Sequence, residues 1–306
     1  MSALPSIDTK ADKPPAKTYS LAFLASAAVG LQAVASLCYP IAKYGLETIE
    51  PFTFAFYRYV ISSVVLLAIV KFKKYEIPVA RKDFLKIILI GFLIIPFNQT
   101  LFLVGQSMTA AGHGAFLFAT TPVFIFILAL FHLKEKLVWR RAIGITLALA
   151  GVMTIMLSGA LEISTDYLLG DLIIIVSVIA WAYYTILGKD LVRKYGALRM
   201  TAYALSAGSA LYFPFGLYMA SKYDYSQATL GAWGAVLYMA LGLSVFVYVL
   251  WYWLLKYMDA SRVAVYHNIQ PVIATVVAFF FLGETLTLPF IIGGSIVLVG
   301  VITSEV

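Results

Sequence analysis

The stretch NIQPVIATVVAFFFLGETLTLPFIIGGSIVLVGV, residues 268–301, carries the most information about the fold of this chain. A weaker copy, ATTPVFIFILALFHLKEKLVWRRAIGITLALAGV, occupies residues 119–152, so the two stretches lie 149 residues apart. In this register four conspicuous positions are identical: Pro122 and Pro271, Glu135 and Glu284, Gly144 and Gly293, and Gly151 and Gly300. Because the register of these four positions holds over 30 residues without a gap, we interpret the two stretches as the ends of an internal repeat.

The amino-acid composition indicates the environment in which this repeat folds. Of the 306 residues, 62% are hydrophobic and 12% are charged, whereas a soluble domain has about 45–50% apolar and about 25% charged residues. The composition therefore predicts an integral membrane protein in contact with the lipid bilayer, and it excludes a soluble enzyme and a nucleic-acid binder. The single cysteine, Cys38, excludes an intrachain disulfide and a cysteine-based metal site.

Ten apolar runs approach or exceed the length of about 20 residues that a helix needs to cross the hydrocarbon core. They cover residues 19–42, 51–71, 84–104, 109–132, 138–158, 168–188, 199–220, 229–253, 261–282 and 287–303. The connections are short and leave no room for a soluble domain. The first 18 residues are polar and contain prolines, and we interpret residues 1–18 as a disordered cytoplasmic tail.

The distribution of basic residues gives the orientation. With the N-terminus in the cytoplasm, 19 Lys and Arg residues fall on the cytoplasmic side, and only Lys43 and Lys222 fall in the outer loops. The positive-inside rule describes this asymmetry. We therefore predict a multi-pass protein of a bacterial-type inner (plasma) membrane, with both termini in the cytoplasm.

The two halves of the chain, residues 19–158 and 168–303, each contain five of the ten runs. Because five is an odd number, the two halves must cross the membrane in opposite directions. The sequence thus predicts an all-α membrane protein with ten transmembrane helices arranged as two inverted five-helix repeats. Inverted repeats are typical of secondary transporters, in which the halves exchange conformations and expose a site to either side.

The two quoted stretches resemble the paired signature of the drug/metabolite transporter superfamily, EamA branch. Length, helix count and topology extend the resemblance over essentially the whole chain. The resemblance implies two inverted five-helix repeats around a central cavity, and the movement of small metabolites, often amino acids and usually outward. Members of the superfamily differ widely in substrate, so the resemblance does not identify the cargo.

Polar residues at bilayer depth are costly and therefore mark candidate functional positions. The guanidinium of Arg58 is suited to a substrate carboxylate, although it also suits a structural role on backbone carbonyls or near the interface. His267 and Gln270 are three residues apart and share a helix face. Pro122 and Pro271 are expected to break their helices at matched positions of the two repeats, which in transporters is where substrate binds.

Aromatic and amide side chains complete the candidate site. Trp181 and Tyr248 lie near mid-depth and suit an apolar, aromatic or cationic substrate, although packing explains each ring equally well. We expect Trp251 and Trp253, near the cytoplasmic boundary, to be interfacial belt residues. The predicted substrate site is bounded by Gln32, Arg58, Asn98, Trp181, Tyr248, His267 and Gln270.

Other conspicuous residues predict helix packing. Small side chains are expected to let helices approach closely at Gly30, Gly144, Gly293 and the pair Ala204 and Gly208. Glu135 and Glu284 lie at helix ends, where we expect them to accept hydrogen bonds from the N-termini of neighbouring helices.

Some functional groups are missing from the sequence. No Asp or Glu lies deep within a run, and coupling to protons or sodium usually uses such a carboxylate. Its absence favours facilitated diffusion, or proton coupling through His267 or His113, since histidine titrates near physiological pH. The motifs HExxH and GxSxG are also missing. We therefore predict that the chain is not an enzyme and has no catalytic residue, metal site or cofactor.

Together these features predict a secondary transporter that exports small organic metabolites, with amino acids and related compounds as the leading substrates. Transport would proceed by alternating access through an aromatic and polar central cavity. An uptake carrier of the same superfamily and a passive membrane channel stay open as alternatives, as does the oligomeric state.

The orientation makes a testable prediction. A reporter fused after Glu162 should be extracytoplasmic, and one fused after Lys194 should be cytoplasmic, because these residues follow an odd and an even number of crossings. Alkaline phosphatase and fluorescent-protein fusions report the two sides directly. The reverse result at either position would contradict the ten-span topology.

Overall fold

The computed structural model describes residues 19–73, 75, 78–109, 111–157, 167–273, 276 and 288–305. Within these residues every regular element is helical. Three features that the sequence singles out lie outside the described part of the chain: the tail 1–18, Glu284 and the side chain of His113.

The described residues form ten helical units, which we number α1 to α10. They are α1 Leu21–Leu46, α2 Pro51–Lys71, α3 Arg81–Met108, α4 in the two segments Ala111–Phe118 and Thr121–His132, α5 Trp139–Leu157, α6 Leu168–Tyr195, α7 Ala197–Lys222, α8 Leu230–Tyr257, α9 with its described turns Ala260–Val265 and Tyr266–Ile269, and α10 Leu288–Glu305. Each unit coincides with one predicted run, so the all-α membrane fold is confirmed. Five of them, α1, α2, α3, α6 and α8, are long and apolar enough to cross a membrane.

Helix α6 continues to Tyr195, beyond its predicted end at residue 188. The apolar run indeed stops there, but the polar residues that follow keep the helical conformation because they find partners on neighbouring elements. Lys189 binds Glu135 and Lys194 binds Asp83, both through their ammonium groups. Hydropathy marks where a helix leaves the apolar layer, and not where the helix ends.

Local sequence explains several helix boundaries. Glu50 caps α2 by accepting hydrogen bonds from two amides of the first turn, and Pro51 occupies the first helical position, where no amide hydrogen is needed. The hydroxyl of Thr229 caps α8 in the same way. Gly196 alone separates α6 from α7 and has a φ of 88°, a left-handed backbone conformation that glycine adopts without a steric penalty.

Helices α4 and α9 are interrupted at equivalent positions of the two repeats. In α4 the chain makes tight turns in which the amides of Ala119 and Thr120 bond to carbonyls three residues earlier, and a new segment then begins with Pro122 in its first turn. In α9 a tight turn over Tyr266–Ile269 precedes Pro271. A proline cannot donate to the preceding turn and clashes with it, so both helices change geometry just before their proline.

Helices α3 and α8 also share a deviation that the sequence analysis did not predict. Each contains a widened, π-helical segment, over Leu93–Gln99 in α3 and Tyr238–Val247 in α8. A hydroxyl directly after the first segment and one within the second each bond to a carbonyl five residues earlier: Thr100 to Ile95 and Ser244 to Met239. Such segments are frequent at functional sites, because they change which side chains a helix presents.

The two repeats are in close backbone contact between α5 and α10. A Cβ added at Gly144 would lie 2.5 Å from the carbonyl oxygen of Gly300, and one at Gly151 would lie 2.5 Å from that of Gly293. The order of these contacts shows that the two helices run antiparallel, as inverted repeats require.

The packing role predicted for small residues is therefore confirmed for Gly144 and Gly293. It is confirmed as well for Gly208, which lies against the backbone of Gly91 in α3. It is wrong for Gly30, because that residue is exposed and no atom lies within 4 Å of an added Cβ.

We predict that Gly151→Ala lowers the melting temperature of the detergent-solubilised protein. The new methyl group would lie too close to the backbone of α10, and overpacking of this kind costs about 1–3 kcal/mol. The matched control is Gly30→Ala, which adds the same methyl group where nothing opposes it. Equal melting temperatures for the two variants would contradict the close contact between α5 and α10.

Candidate functional site

A small cavity lies between the two halves of the molecule. Its volume is about 40 Å³, which is room for a few water molecules. The first half lines the cavity from α1, α3 and α4, and the second half from the equivalent helices α6, α8 and α9. The lining residues are Ala35, Cys38, Tyr39, Gln99, Phe102, Phe118, Trp181, Leu243, Val247, Tyr248, His267 and Gln270.

The seven residues predicted for the substrate site divide into two groups. Four of them line the cavity: Trp181, Tyr248, His267 and Gln270. The other three are buried behind it, and each makes a hydrogen bond to a lining residue: Gln32 to His267 and Gln270, Arg58 to Tyr248, and Asn98 to Gln99. The sequence therefore identified residues that line the cavity together with residues that hydrogen-bond to its lining, but it did not separate the inner layer from the layer that supports it.

The imidazole of His267 is held by partners that determine its tautomer. Nε2 lies 3.2 Å from the indole nitrogen of Trp181, and Nδ1 lies 3.2 Å from Oε1 of Gln32. Because an indole nitrogen can only donate, Nε2 must accept, and the ring proton is on Nδ1. The ring of Trp251 stacks on the imidazole, with centroids 4.8 Å apart and planes 9° from parallel. In this conformation His267 is therefore a neutral hydrogen-bonding group.

Gln270 links α9 to two positions in the middle of α1. Its amide nitrogen donates to Oε1 of Gln32 over 2.5 Å, and its Oε1 accepts from the hydroxyl of Tyr39 over 2.7 Å. The tight turn before Pro271 brings His267 and Gln270 to the same side, where both reach Gln32. The helix interruption in α9 thus has a direct consequence for the shape of the cavity wall.

Arg58 is completely buried on α2. Its Nε donates to the hydroxyl of Ser244 over 3.0 Å, and one terminal nitrogen, Nη2, lies 3.5 Å from the hydroxyl of Tyr248. Within the described residues Nη1 has no hydrogen-bond partner, and none of the ion pairs there includes Arg58. The guanidinium therefore places a positive charge behind Tyr248 and keeps the N–H donors of Nη1 without a partner among the described residues.

Asn98 connects α3 to α6. Its amide nitrogen donates to the carbonyl oxygen of Ser177 over 2.7 Å and to the hydroxyl of the same residue over 3.1 Å. Its Oδ1 accepts from the side-chain amide of Gln99. The consequence is that Asn98 determines the orientation of a residue that lines the cavity.

The structure corrects the interpretation of Trp251. This side chain is fully buried, stacks on His267 and donates to the hydroxyl of Thr185 over 3.2 Å, so it is not an interfacial belt residue. Counting residues from the predicted end of the eighth run placed it near the boundary, but α8 continues to Tyr257.

The sequence analysis also missed Tyr39, Phe102 and Phe118 as lining residues. Their rings contact one another in edge-to-face pairs, with centroids 5.3–6.2 Å apart. One signal for Phe118 was available, because His267 lies 149 residues after it. The repeat register alone therefore places Phe118 on the cavity wall.

A cluster of charged residues lies at one end of the bundle, where the predicted topology places the cytoplasm. We call Glu135, Arg141, Lys189, Asp259 and Ser261 the Glu135 cluster. Glu135 accepts from Lys189 over 2.9 Å, from Ser261 over 2.7 Å and from the amide of Ala260 over 2.9 Å. Arg141 donates to Asp259 over 2.7 Å and to Ser261 over 2.9 Å. The expectation that Glu135 accepts from the N-terminus of a neighbouring helix, here α9, is confirmed.

The electrostatic surroundings of the cluster favour charged carboxylates. Burial raises the pKa of Glu135, but the Lys189 ammonium and the hydrogen bonds from Ser261 and Ala260 outweigh burial, and the pKa is lower than usual. The pKa of Asp259 is lowered for a similar reason, since the hydrogen bond from Arg141 and the neighbouring cations outweigh its burial. The cluster therefore joins the α4–α5 connection, α6 and the α8–α9 connection as a set of ion pairs.

Comparison with known proteins finds the same two halves. Residues 17–157 and 168–304 match the model of the EamA-like transporter family. The chain is 32% identical to an uncharacterized transporter of Archaeoglobus fulgidus, over 85% of this chain and 89% of the relative. It is 28% identical to a probable terminal-alkyne amino-acid exporter of Streptantibioticus cattleyicolor, over 66% of this chain and 67% of the relative. A solved crystal structure that is 15% identical has a TM-score of 0.73 over 92% of this chain and 94% of that chain, and this likeness shows a shared fold alone.

We predict that Glu135→Gln lowers the stability of the protein near neutral pH, because it removes the carboxylate to which the buried ammonium of Lys189 is directly paired. Breaking a buried pair in this way costs about 3–5 kcal/mol. The pKa values of Glu135 and Asp259 are lowered in the folded state. The stabilisation is thus present above the ordinary carboxyl pKa and is lost as the pH falls through the folded values.

Melting temperatures in detergent, measured from neutral pH to about pH 4, provide the test. The wild type should lose stability on acidification, and Glu135→Gln should start lower and lose less. Asp224→Asn removes a carboxylate from an exposed loop and serves as the control, with little change expected at neutral pH. A Glu135→Gln variant that melts like the wild type throughout this range would contradict a stabilising role for the cluster.

Proposed function

The chain belongs to the EamA-like transporter family, and we propose that it exports small organic metabolites, with amino acids and related compounds as its leading substrates. It is a membrane transporter, and its named relatives are transporters as well. The proposal adds the substrate class, the outward direction and the mechanism. The observation that carries it is the cavity, which equivalent helices of both repeats line in equal number.

The symmetry of the cavity supports alternating access. In a repeat register of 149 residues, Gln99 is equivalent to Tyr248 and Phe118 to His267, and all four line the cavity. A site on the pseudo-two-fold axis between inverted repeats is reached from one side when one repeat is open, and from the other side when the repeats exchange conformations. We assign the two repeats of this mechanism to residues 19–158 and 168–303.

The Glu135 cluster supports a latch on the cytoplasmic side. It connects Glu135 and Arg141 of the first repeat to Lys189, Asp259 and Ser261 of the second. Opening of the cavity toward that side has to separate these groups, and closing restores the ion pairs. The proposal places both termini in the cytoplasm and the protein in the plasma membrane.

Arg58 and Tyr248 support a substrate that carries a carboxylate. Tyr248 lines the cavity and its hydroxyl receives a hydrogen bond from the guanidinium, so we propose that its own proton is available to a substrate oxygen. The unused Nη1 of Arg58 offers a second donor once Tyr248 moves aside. The name of the Streptantibioticus relative, an amino-acid exporter, points to the same substrate class and to export.

His267 supports a route for proton coupling. Its Nε2 faces the N–H of Trp181, so a second ring proton there would place two donors against each other. Proton uptake by His267 thus requires Trp181 to move away, which ties the protonation of this residue to a change in the cavity wall.

Counterflow in proteoliposomes, with a panel of amino acids and their methyl-ester and amine analogues, tests this function. Arg58→Lys should keep part of the activity, because a point charge does not replace the planar guanidinium. Arg58→Ala should impair transport of carboxylated substrates more than transport of the esters and amines. His267→Gln should remove any pH dependence and leave substrate exchange largely intact.

Three outcomes of this experiment would contradict parts of the proposal. Equal loss for all analogues, together with poor folding, would identify Arg58 as structural. Flux without acceleration by substrate on the opposite side would favour a passive channel. Acceleration of uptake by an inward gradient of a second solute would favour an uptake carrier.

A further inference from the structure

The polar atoms of the cavity wall differ in whether they already have a partner. Gln270, Tyr39 and both ring nitrogens of His267 are used within the wall. Gln99 is different: it is 4% exposed, it lines the cavity, and its Oε1 has no hydrogen-bond partner among the described residues. A buried acceptor without a partner is costly, so this atom is a candidate for contact with a ligand.

The orientation of the Gln99 amide follows from its neighbours. The carbonyl oxygen of Ser177 can only accept, so the side-chain nitrogen of Asn98 must face it. Oδ1 of Asn98 then points to Gln99 and has to receive the Gln99 amide nitrogen. Rotating the Gln99 amide by 180° would place two oxygens against each other. Its Oε1 is therefore the atom left without a partner among the described residues, and it acts as an acceptor only.

We infer that Gln99 is a specificity-determining residue, whose Oε1 accepts a hydrogen bond from the protonated amino group of the substrate. This inference rests on the proposed function and names the group that binds the substrate at the opposite end from its carboxylate. Gln99 and Tyr248 occupy equivalent positions of the two repeats, so the acceptor and the Arg58-supported donor lie on opposite halves of the cavity.

The rings around Gln99 suit an ammonium group. Tyr39, Phe102 and Phe118 line the same half of the cavity and contact one another. Aromatic faces attract a cation without neutralising it, and an amide oxygen adds a directed contact. The half of the cavity around Gln99 therefore binds a positive group without a carboxylate side chain. In the half around Tyr248, the positive charge of Arg58 attracts the carboxylate of the substrate. The combination selects α-amino acids over simple carboxylic acids and over simple amines.

Equilibrium binding to the purified full-length protein tests the inference, with tryptophan fluorescence as the signal because Trp181 lines the cavity. Each of the twenty amino acids is compared with its deaminated acid, for example L-leucine with 4-methylpentanoate. Gln99→Leu should raise the dissociation constant of the amino acid by about tenfold or more, as expected when a hydrogen bond to a charged group is lost. Gln99→Leu should leave the dissociation constant of the deaminated acid unchanged.

Two further variants keep the test independent of folding. Gln99→Glu should shift the preference in the opposite direction, with tighter binding of the amino acid and weaker binding of the deaminated acid. Unfolding cannot shift the preference both ways. Tyr248→Phe removes the hydroxyl that both ligands use, so it should weaken both and leave their ratio unchanged.

The outcomes separate this inference from the proposed function. Suppose that the wild type binds amino acids and that the ratio of the dissociation constants of an amino acid and its deaminated acid is the same in the wild type, Gln99→Leu and Gln99→Glu. The role of Gln99 is then wrong, and the proposed function stands. If the wild type binds no amino acid of the panel, the proposed substrate class fails and this inference fails with it.

Discussion

The absence of water at bilayer depth is the constraint on which the structure depends. A buried polar side chain there has to find its partner within the protein, and most of the polar groups around the cavity do so. In the chain of contacts from Tyr39 through Gln270 and Gln32 to His267 and Trp181, each contact pairs a donor with an acceptor, and Oε1 of Gln32 accepts from both sides. Oε1 of Gln99 and Nη1 of Arg58 are two of the buried polar atoms without a partner among the described residues, and because Gln99 lines the cavity and Arg58 binds the lining residue Tyr248, these two atoms mark where a ligand can complete the network.

The internal repeat gives each half the same framework and different chemistry. Helix interruptions before Pro122 and Pro271, and widened turns in α3 and α8, recur at equivalent positions. The side chains that these features present to the cavity are unlike: Phe118 opposite His267, and Gln99 opposite Tyr248. The common backbone geometry supports an exchange of conformations between the repeats. Because the side chains differ, the two halves of the cavity present different chemical groups to a substrate. A symmetric carrier can in this way bind an asymmetric substrate.

The sequence predicted the framework better than the site. Periodic hydrophobicity, charge bias and the register of Pro, Glu and Gly were sufficient for ten helices in two inverted halves, because these signals depend on the bilayer and on local backbone chemistry. Trp251 was misplaced because hydropathy does not show where a helix ends. Gly30 was misread because small size permits close packing without requiring it. The separation of Gln99 from Asn98 into lining and supporting residues depends on the widened turns of α3, for which the sequence offers no periodic signal.

The contact between α5 and α10 has a consequence for the origin of the fold. Gly144 meets Gly300, and Gly151 meets Gly293. Moving each residue to its equivalent in the other repeat converts the first pair into the second. The contact is thus isologous, the form of interface that two identical subunits make around a two-fold axis. A half-length chain could build this interface if it entered the membrane in both orientations and carried these two glycines. The covalent link between the halves therefore joins two units whose contact surfaces are already self-complementary.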